Sequence, residues 1–144
     1  MALEQTSPNK VGNVLVHEYK PDRRYCRDML TITVADLVGE VGEIVVDVGK
    51  TGTFAKAPES IDVAADAVAV VIDDQIENKI AGAAGATISV ACLVRGPAAV
   101  AKVGLSMADV TGAEDAYAAL TAAGIEVLDK YSVRTTSKVA GSTR

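Results

Sequence analysis

Gly49-Lys50-Thr51 carries the residue types that close a phosphate-binding P-loop. A P-loop needs a further glycine upstream of the Gly-Lys pair, so that backbone amides can wrap around the phosphates. Ile44 occupies that position, within a stretch that alternates like a β-strand. The Gly52-Thr53-Phe54 that follows favours a hairpin turn over a helix N-terminus. We therefore expect a turn here and not a nucleotide site.

His17 is the one histidine of the chain, and it lies near the N-terminus. A Ser-His-Asp triad or a histidine-based metal site therefore has at most one imidazole to use. The sequence also contains no nucleophile elbow of the hydrolase type. These observations predict a protein that is not an enzyme and that has no cofactor and no metal site.

Five acidic residues stand close enough in the sequence to be considered as ligands for a hard cation: Asp62, Asp66, Asp73, Asp74 and Glu77. The spacing and the glycine of an EF-hand are missing, so a solvated loop is the simpler interpretation. The alternative is an enzyme whose site forms between subunits. That site would require Asp62, Asp73 and Asp74 to converge across chains.

The composition argues against several classes of partner. The net charge of −5 repels DNA. With one Phe, four Tyr and no Trp, the chain has few surfaces on which bases or sugars could stack. The longest uncharged stretch, residues 80–94, is too short to cross a membrane. We expect no direct contact with nucleic acid and none with a membrane.

Apolar alternation with a period of two, and at residues 67–72 a run that is apolar on both faces, predicts a series of short β-strands. They cover residues 29–34, 44–48, 67–72, 88–94, 98–105 and 125–133. Cys92 falls within this alternation and is predicted to lie in the core. Cys26 and Cys92 are expected to be free thiols, because a disulfide scaffold needs more cysteines at closer spacing.

One short α-helix is predicted near residues 112–123. Four apolar residues recur there at helical spacing: Ala116, Ala119, Leu120 and Ala123. Thr111 and Glu114 have the spacing of a capping box, in which each side chain accepts a hydrogen bond from a backbone amide at the helix N-terminus. Gly124 stands where a left-handed C-terminal cap belongs. The predicted fold class is mainly β, a small barrel or sandwich with one short helix.

The chain divides by composition into three parts. Residues 1–20 are predicted to form an extended N-terminal arm, residues 21–133 a single β-rich domain, and residues 134–144 a loose basic tail. Within the arm, residues 13–19 form a β-like run that is apolar on both faces and therefore needs a partner. Two interpretations are open. The run adds to a sheet of another protein, or it forms the edge of this protein's own sheet.

Five segments follow one another in a characteristic order. They are residues 25–34 (YCRDMLTITV), 42–46 (GEIVV), 51–58 (TGTFAKAP), 88–105 (ISVACLVRGPAAVAKVGL) and 118–128 (AALTAAGIEVL). Their order and spacing resemble those of the phage lambda-type head decoration proteins, in which an "LVRGPA-V" strand–turn–strand precedes a short helix that ends "ALAALGI-V". The resemblance extends over about residues 20–130.

This resemblance implies a β domain of the β-clip or β-tulip kind. It further implies a homotrimer on the outer surface of the virion, at threefold and quasi-threefold positions of the expanded capsid, which it stabilises against internal DNA pressure. The partner would be the major capsid protein. In that family the N-terminal segment runs along the capsid protein and can add a strand to it. Small residues at the Gly96-Pro97-Ala98 turn make it a candidate for the trimer contact, with ordinary core packing as the alternative.

The residues of the arm fit such a role. The strand would be supplied by Val14, Leu15, Val16, His17 and Tyr19. Arg23, Arg24 and Arg27 would pair with capsid carboxylates as bidentate donors. On this interpretation, deletion of residues 1–20 leaves a folded protein that has lost its capsid binding.

A function of another class is a virion-surface module that recognises a host glycan or a host surface protein. The scarcity of aromatic residues argues against this alternative, because sugars are commonly bound against aromatic side chains.

Overall fold

A computed structural model describes residues 14–19, 25–83 and 85–129. Within these ranges the fold is mainly β, with two sheets and one helix of more than two turns, as the sequence predicts. Several predicted features lie outside the described residues: Arg23, Arg24, the first part of the predicted arm and the predicted tail at 134–144.

The strands are β1 (Leu15–Glu18), β2 (Arg27–Thr33), β3 (Ile44–Asp47), β4 (Ala55–Lys56), β5 (Ala67–Val71), β6 (Thr87–Leu93), β7 (Ala98–Ala101) and β8 (Ile125–Leu128). The helices are α1 (Ile76–Ala81) and α2 (Ala113–Ala122). Short 3₁₀ turns at Lys102–Gly104 and Val110–Gly112 lie between β7 and α2.

The larger sheet has five antiparallel strands in the order β2-β6-β5-β3-β4. All of β3 and nearly all of β5 are buried, because both faces of these central strands are covered. Valine and isoleucine dominate these positions, and β-branched side chains pack well on a pleated surface. This sheet supplies more of the buried core residues than the smaller sheet does.

The two edges of the larger sheet approach each other at Phe54, just before β4. The Phe54 amide donates to the Thr31 carbonyl at 2.9 Å, and the Thr33 amide donates to the Phe54 carbonyl at 2.8 Å. This single bridge joins the β4 side of the sheet to β2, although the sheet is not a closed barrel. The only phenylalanine of the chain is thus buried where the sheet curls back on itself.

The smaller sheet has three strands in the order β1-β7-β8. β1 is antiparallel to β7, and β8 is parallel to β7. The four residues of β7 are Ala or Val and all are buried. The helix α2 packs against β8 and β5, with Ala116, Ala119 and Leu120 facing the core. The parallel pair requires a long crossover, which the segment containing α2 provides.

The seventh strand is shorter than the sequence predicts. It ends at Ala101, and a 3₁₀ turn replaces the second half of the predicted strand at 98–105. The chain leaves the small sheet there because Ser106 pairs with the start of β3: the Ile44 amide donates to the Ser106 carbonyl at 2.7 Å. A contact with the other sheet therefore overrides the local strand pattern.

The helix α2 lies where it is predicted, but its N-terminus is built differently. Gly112 is the N-cap residue, and no side chain makes a capping hydrogen bond to the N-terminus of the helix. The capping box of Thr111 and Glu114 is therefore not formed. Instead, the Asp109 carboxylate accepts a hydrogen bond from the Thr111 amide at 3.0 Å and closes the preceding 3₁₀ turn. At the other end, Gly124 has φ of +93°, which confirms the predicted left-handed C-terminal cap.

Phe54→Ala is expected to lower the free energy of unfolding by about 3–5 kcal/mol, because it removes a buried ring at the junction of the two sheet edges. Phe54→Leu, which retains most of the apolar volume, should cost clearly less. Urea denaturation of the three proteins measures the difference. Equal losses for the two variants would contradict the packing role of the ring.

Deletion of residues 1–20 is expected to destabilise the protein, because it removes β1 and the fully buried Val14. The deletion of residues 1–13 is the matched comparison, since it leaves Val14 and β1 in place. We expect the longer deletion to melt at a clearly lower temperature than the shorter one. Identical melting temperatures would mean that β1 contributes nothing to the stability of the small sheet.

Candidate binding surface at the edge of the small sheet

The turn that contains Gly49-Lys50-Thr51 is held by Asp47, the last residue of β3. The Asp47 carboxylate accepts hydrogen bonds from the Thr51 amide at 2.7 Å, the Thr51 hydroxyl at 2.8 Å and the Gly52 amide at 2.7 Å. Burial raises the pKa of Asp47, but these hydrogen bonds outweigh it, so the pKa lies below its ordinary value. In a P-loop, backbone amides of this kind donate hydrogen bonds to phosphate. Here the amides of Thr51 and Gly52 donate to the Asp47 carboxylate instead. The predicted hairpin is confirmed, with β3 and β4 as its arms.

The acidic residues near β5 also bind backbone amides. Asp66 accepts from the Gly49 amide and the Asp62 amide, both at 3.0 Å. Asp62 accepts from the amides of Ala64 and Ala65. Asp62 precedes β5 and Asp73 follows it, so the two carboxylates lie at opposite ends of a strand and do not converge within one chain.

Asp73 and Lys79 cover a strand edge. Beyond Val71 the chain leaves the sheet for α1, and the neighbouring edge of β6 loses its partner strand. Asp73 accepts from the Ala91 amide at 3.2 Å and from Lys79 Nζ at 2.5 Å, while Lys79 also donates to the Ser89 carbonyl at 2.9 Å. Burial raises the pKa of Asp73, but the hydrogen bonds from Lys79 and from the backbone amides have the larger effect, so the pKa lies below its ordinary value. The Asp73 carboxylate is therefore held in its charged form.

Glu43 is fully buried at the start of β3. Its two carboxylate oxygens accept hydrogen bonds from the amides of Val38 and Gly39, each at 3.0 Å. Burial raises the pKa of Glu43, and the two amides offset only part of this effect. The described residues contain no group of three or more His, Cys, Asp or Glu placed to hold a metal ion.

The two cysteines are free and buried. Burial raises the pKa of Cys92 to about 12, which keeps it an unreactive thiol. Cys26 Sγ lies 3.7 Å from the Tyr19 carbonyl and 3.5 Å from the Pro97 carbonyl. Cys26 is therefore a packing residue at the point where three chain segments meet.

The structure places residues 14–19 in the protein's own small sheet, the second of the two interpretations that the sequence leaves open. Val14 is fully buried, Leu15 and Val16 are partly buried, and His17 is exposed. β1 lies at the edge of the sheet, and among the described residues no strand pairs with its outer side. The description of these residues as an arm outside the fold is thus corrected, because pairing with β7 satisfies one side of the strand.

Arg27 is engaged within the chain. Its guanidinium donates two hydrogen bonds of 2.8 Å to the Glu18 carboxylate, which is almost fully buried. The hydrogen bond to Glu18 raises the pKa of Arg27. The predicted pairing of Arg27 with a capsid carboxylate is therefore corrected, since its bidentate donors are already used to join β2 to β1.

An exposed cluster lies beside β1, and we call its four residues, Tyr19, Tyr25, Asp28 and Arg95, the Tyr19 patch. The two tyrosine rings make an edge-to-face contact, with centroids 6.0 Å apart. The Arg95 guanidinium lies 5.6 Å from the centroid of the Tyr25 ring, donates to the Tyr25 carbonyl and pairs with Asp28 at 2.8 Å. Tyr19 and Tyr25 remain 42% and 51% exposed.

The turn at Gly96-Pro97-Ala98 is used inside the protein. A Cβ added to Gly96 would lie 1.8 Å from the Gly124 carbonyl oxygen, so this position requires glycine. Ala98 is buried in β7, and only Pro97 is exposed. The small residues therefore allow this turn to pack closely against the end of α2. This agrees with the alternative of ordinary core packing.

Sequence reasoning does not single out Arg95 or Tyr25 as functional residues. Arg95 follows β6, Tyr25 precedes β2 and Tyr19 follows β1, so the patch forms only when the two sheets come together. The available signal is the position of two of the four tyrosines in an aromatic-poor chain: Tyr19 lies at the end of the predicted arm, and Tyr25 lies just beyond it.

The chain matches no family model, no curated protein and no solved structure. Among the helices of the described ranges, none has the length and apolar character needed to span a bilayer.

Asp47→Asn is expected to lower the free energy of unfolding by about 1–3 kcal/mol at neutral pH, because an amide cannot accept hydrogen bonds on both of its terminal atoms. The pKa of Asp47 is lowered in the folded state, so its contribution is complete above the unfolded pKa of about 4 and is lost as the pH falls through the folded pKa. The difference between wild type and variant should therefore shrink below about pH 4.

Urea denaturation over a pH series measures this difference. Asp74→Asn is the control, because Asp74 is an exposed carboxylate of the same chain. A difference between wild type and Asp47→Asn that stays constant at acid pH would contradict the assignment.

Proposed function

We propose that this protein is a structural component of a phage head. In this proposal it binds the outer surface of the expanded capsid at threefold and quasi-threefold positions, as a homotrimer, and stabilises the shell against internal DNA pressure. The partner is the major capsid protein, and no catalysis is involved. The observation that carries the proposal is the edge strand β1, to whose outer side no strand is paired among the described residues, next to an exposed aromatic and arginine cluster.

The outer side of β1 is suited to strand addition. The Tyr19 amide donates to the Pro97 carbonyl at 2.9 Å, so the backbone groups of Tyr19 point toward the small sheet. In an antiparallel pair the orientation alternates, and the backbone groups of Glu18 therefore point outward. An extended segment of the capsid protein can pair with this side of the strand, with main-chain hydrogen bonds giving affinity.

The Tyr19 patch is suited to give such a contact its specificity. Tyrosine and arginine, with tryptophan, are the residue types enriched among side chains that dominate binding energy. The rings of Tyr19 and Tyr25 are held by their mutual contact and by Arg95, so little side-chain freedom is lost on binding. The capsid segment expected here is extended and places an apolar side chain against the rings.

The acidic residues support a structural role over a catalytic one. In the described part of the chain, Asp47, Asp66 and Asp73 accept hydrogen bonds from backbone amides, which stabilises turns and a strand edge. Because these carboxylates are largely buried and already accept hydrogen bonds from backbone amides, they are poorly placed to bind a substrate. The hydrogen bonds that these three carboxylates accept therefore account for their presence at these positions.

The proposed mechanism is thermodynamic. A protein that binds only the expanded shell stabilises that state by mass action. A trimer that contacts three capsid subunits at once gains further from the linkage of its sites, so each individual contact can be modest.

Co-sedimentation with expanded and unexpanded shells, run side by side, tests the proposal. We expect binding to expanded shells alone, saturating near one copy per capsid subunit. Binding to neither shell, or equal binding to both, would contradict it. A glycan or host-protein ligand found in the absence of shell binding would favour the alternative of a host-recognition module.

Tyr19→Ser combined with Tyr25→Ser is expected to weaken binding to expanded shells by about tenfold or more, because hot-spot side chains each contribute more than about 1 kcal/mol. Val38→Ser is the matched control, since Val38 is 45% exposed in the loop after β2. Circular dichroism melts show that each variant is folded. Unchanged shell binding by the double variant would remove the patch from the proposed interface.

A further inference from the structure

A small cavity reaches the surface beside the first turn of α2. Its volume is about 120 Å³. Ser106 lies in its lining, and the other walls are formed by Ile44, Leu105, Met107, Val110, Ala113 and Tyr117. Val110 is 73% exposed, whereas Ile44 is fully buried. The cavity therefore extends from the surface of the protein to its core.

The Ser106 hydroxyl is the polar group in the wall of this cavity that lacks a partner. It is buried, and no group of the described residues forms a hydrogen bond with it. The backbone of Ser106 is held on both sides, because its amide donates to the Gly42 carbonyl at 3.0 Å and its carbonyl accepts from the Ile44 amide at 2.7 Å. A buried polar atom without a partner is costly. A ligand that forms a hydrogen bond with this hydroxyl removes that cost, and the fixed backbone leaves little to be ordered on binding.

The volume and the lining of the cavity restrict its ligand. Drug-sized ligands occupy clefts of about 300 Å³ or more, whereas an apolar protein cavity of about 150 Å³ is known to bind benzene. No Asp, Glu, Lys, Arg or His lies in the lining that the described residues form. A charged ligand would therefore lose its hydration without gaining a counter-charge. The cavity is suited to a neutral molecule of about one six-membered ring.

Two of the walls favour an aromatic ring. Tyr117 presents its own ring, against which another aromatic ring packs edge-to-face or offset. The Lys102 ammonium lies 4.9 Å from the centroid of the Tyr117 ring, a cation–π contact that helps to hold the ring in place. Met107 is almost fully buried, and methionine sulfur makes favourable contacts with aromatic rings.

We propose that this cavity binds a neutral phenolic ring, with the ligand hydroxyl paired to Ser106 and the ligand ring packed against Tyr117 and Met107. The same group is presented by a free phenol and by the tyrosine side chain of a peptide. This binding activity goes beyond the proposed function. It uses none of the residues of the Tyr19 patch, so shell binding and ring binding are tested separately.

A comparison of phenol with benzene on the unmodified full-length protein tests the proposal. The two molecules have the same ring, and only phenol can form a hydrogen bond with Ser106. Binding is followed by NMR through the methyl signals of Ile44 and Met107. We expect phenol to bind about threefold or more tightly than benzene, which is the effect of one hydrogen bond. Equal affinities, or no change in either methyl signal, would overturn the proposal.

Two variants and a control locate the site. Ser106→Ala is expected to remove the preference for phenol over benzene, and Ala113→Leu, which fills the cavity, is expected to weaken the binding of both at least tenfold. Ser89→Ala is the control, because Ser89 is an exposed serine on β6 that does not line the cavity. A preference for phenol that survives in Ser106→Ala would contradict the assignment. Circular dichroism melts show whether each variant is folded, and the comparison on the unmodified protein decides the proposal if a variant is not.

The source of the ring is decided by a third ligand, N-acetyltyrosinamide, in the same titration. Tighter binding of this compound than of phenol supports the proposal with a peptide tyrosine as the source. Weaker binding supports it with a free phenol as the source.

Discussion

The ion pair between Glu18 and Arg27 joins the two sheets, and the position of the candidate binding surface depends on it. Glu18 lies in the edge strand of the small sheet and Arg27 in the edge strand of the large one. Two hydrogen bonds of 2.8 Å link them, with the carboxylate almost fully buried. Loss of Arg27 would leave the buried Glu18 carboxylate without its ion-pair partner, at a cost of about 3 kcal/mol. The pair therefore holds β1 beside β2 and brings Tyr19 close to Tyr25.

The acidic character of the chain has a structural explanation. Carboxylates are placed where the backbone of a small β protein has unpaired amides: Asp47 at a hairpin turn, Asp73 at the strand edge that β5 leaves, and Glu43 at a buried loop. Each accepts hydrogen bonds from backbone amides that the sheets leave unpaired. This use of the acids explains why clusters in the sequence do not become a metal site in the described structure.

The aromatic-poor composition also has two consequences that fit together. The interior is packed with Val, Ile and Ala, and α2 lies against β8 and β5. Phe54, the one large aromatic residue of the core, lies at the bridge between the sheet edges. Tyr19 and Tyr25 are exposed and form an aromatic pair on the surface of the described residues.

Local patterns in the sequence determined much of the fold. Alternation located the strands, helical spacing located α2, and the glycine after it predicted a left-handed cap, because these features depend on residues a few positions apart. The hairpin at Gly49-Lys50-Thr51 was predictable for the same reason. The helix α1 was not, since its six residues are too few for a periodic signal.

Only the tertiary structure decided the site. Pairing with β7 places residues 14–19 in the protein's own sheet, and the approach of Glu18 takes Arg27 out of the predicted interface. The contact of Ser106 with β3 shortens β7, and Asp109 replaces the predicted capping box. Arg95 meets Tyr25 across 70 positions of sequence. Each of these outcomes depends on a contact between distant segments, and no local pattern carries that information.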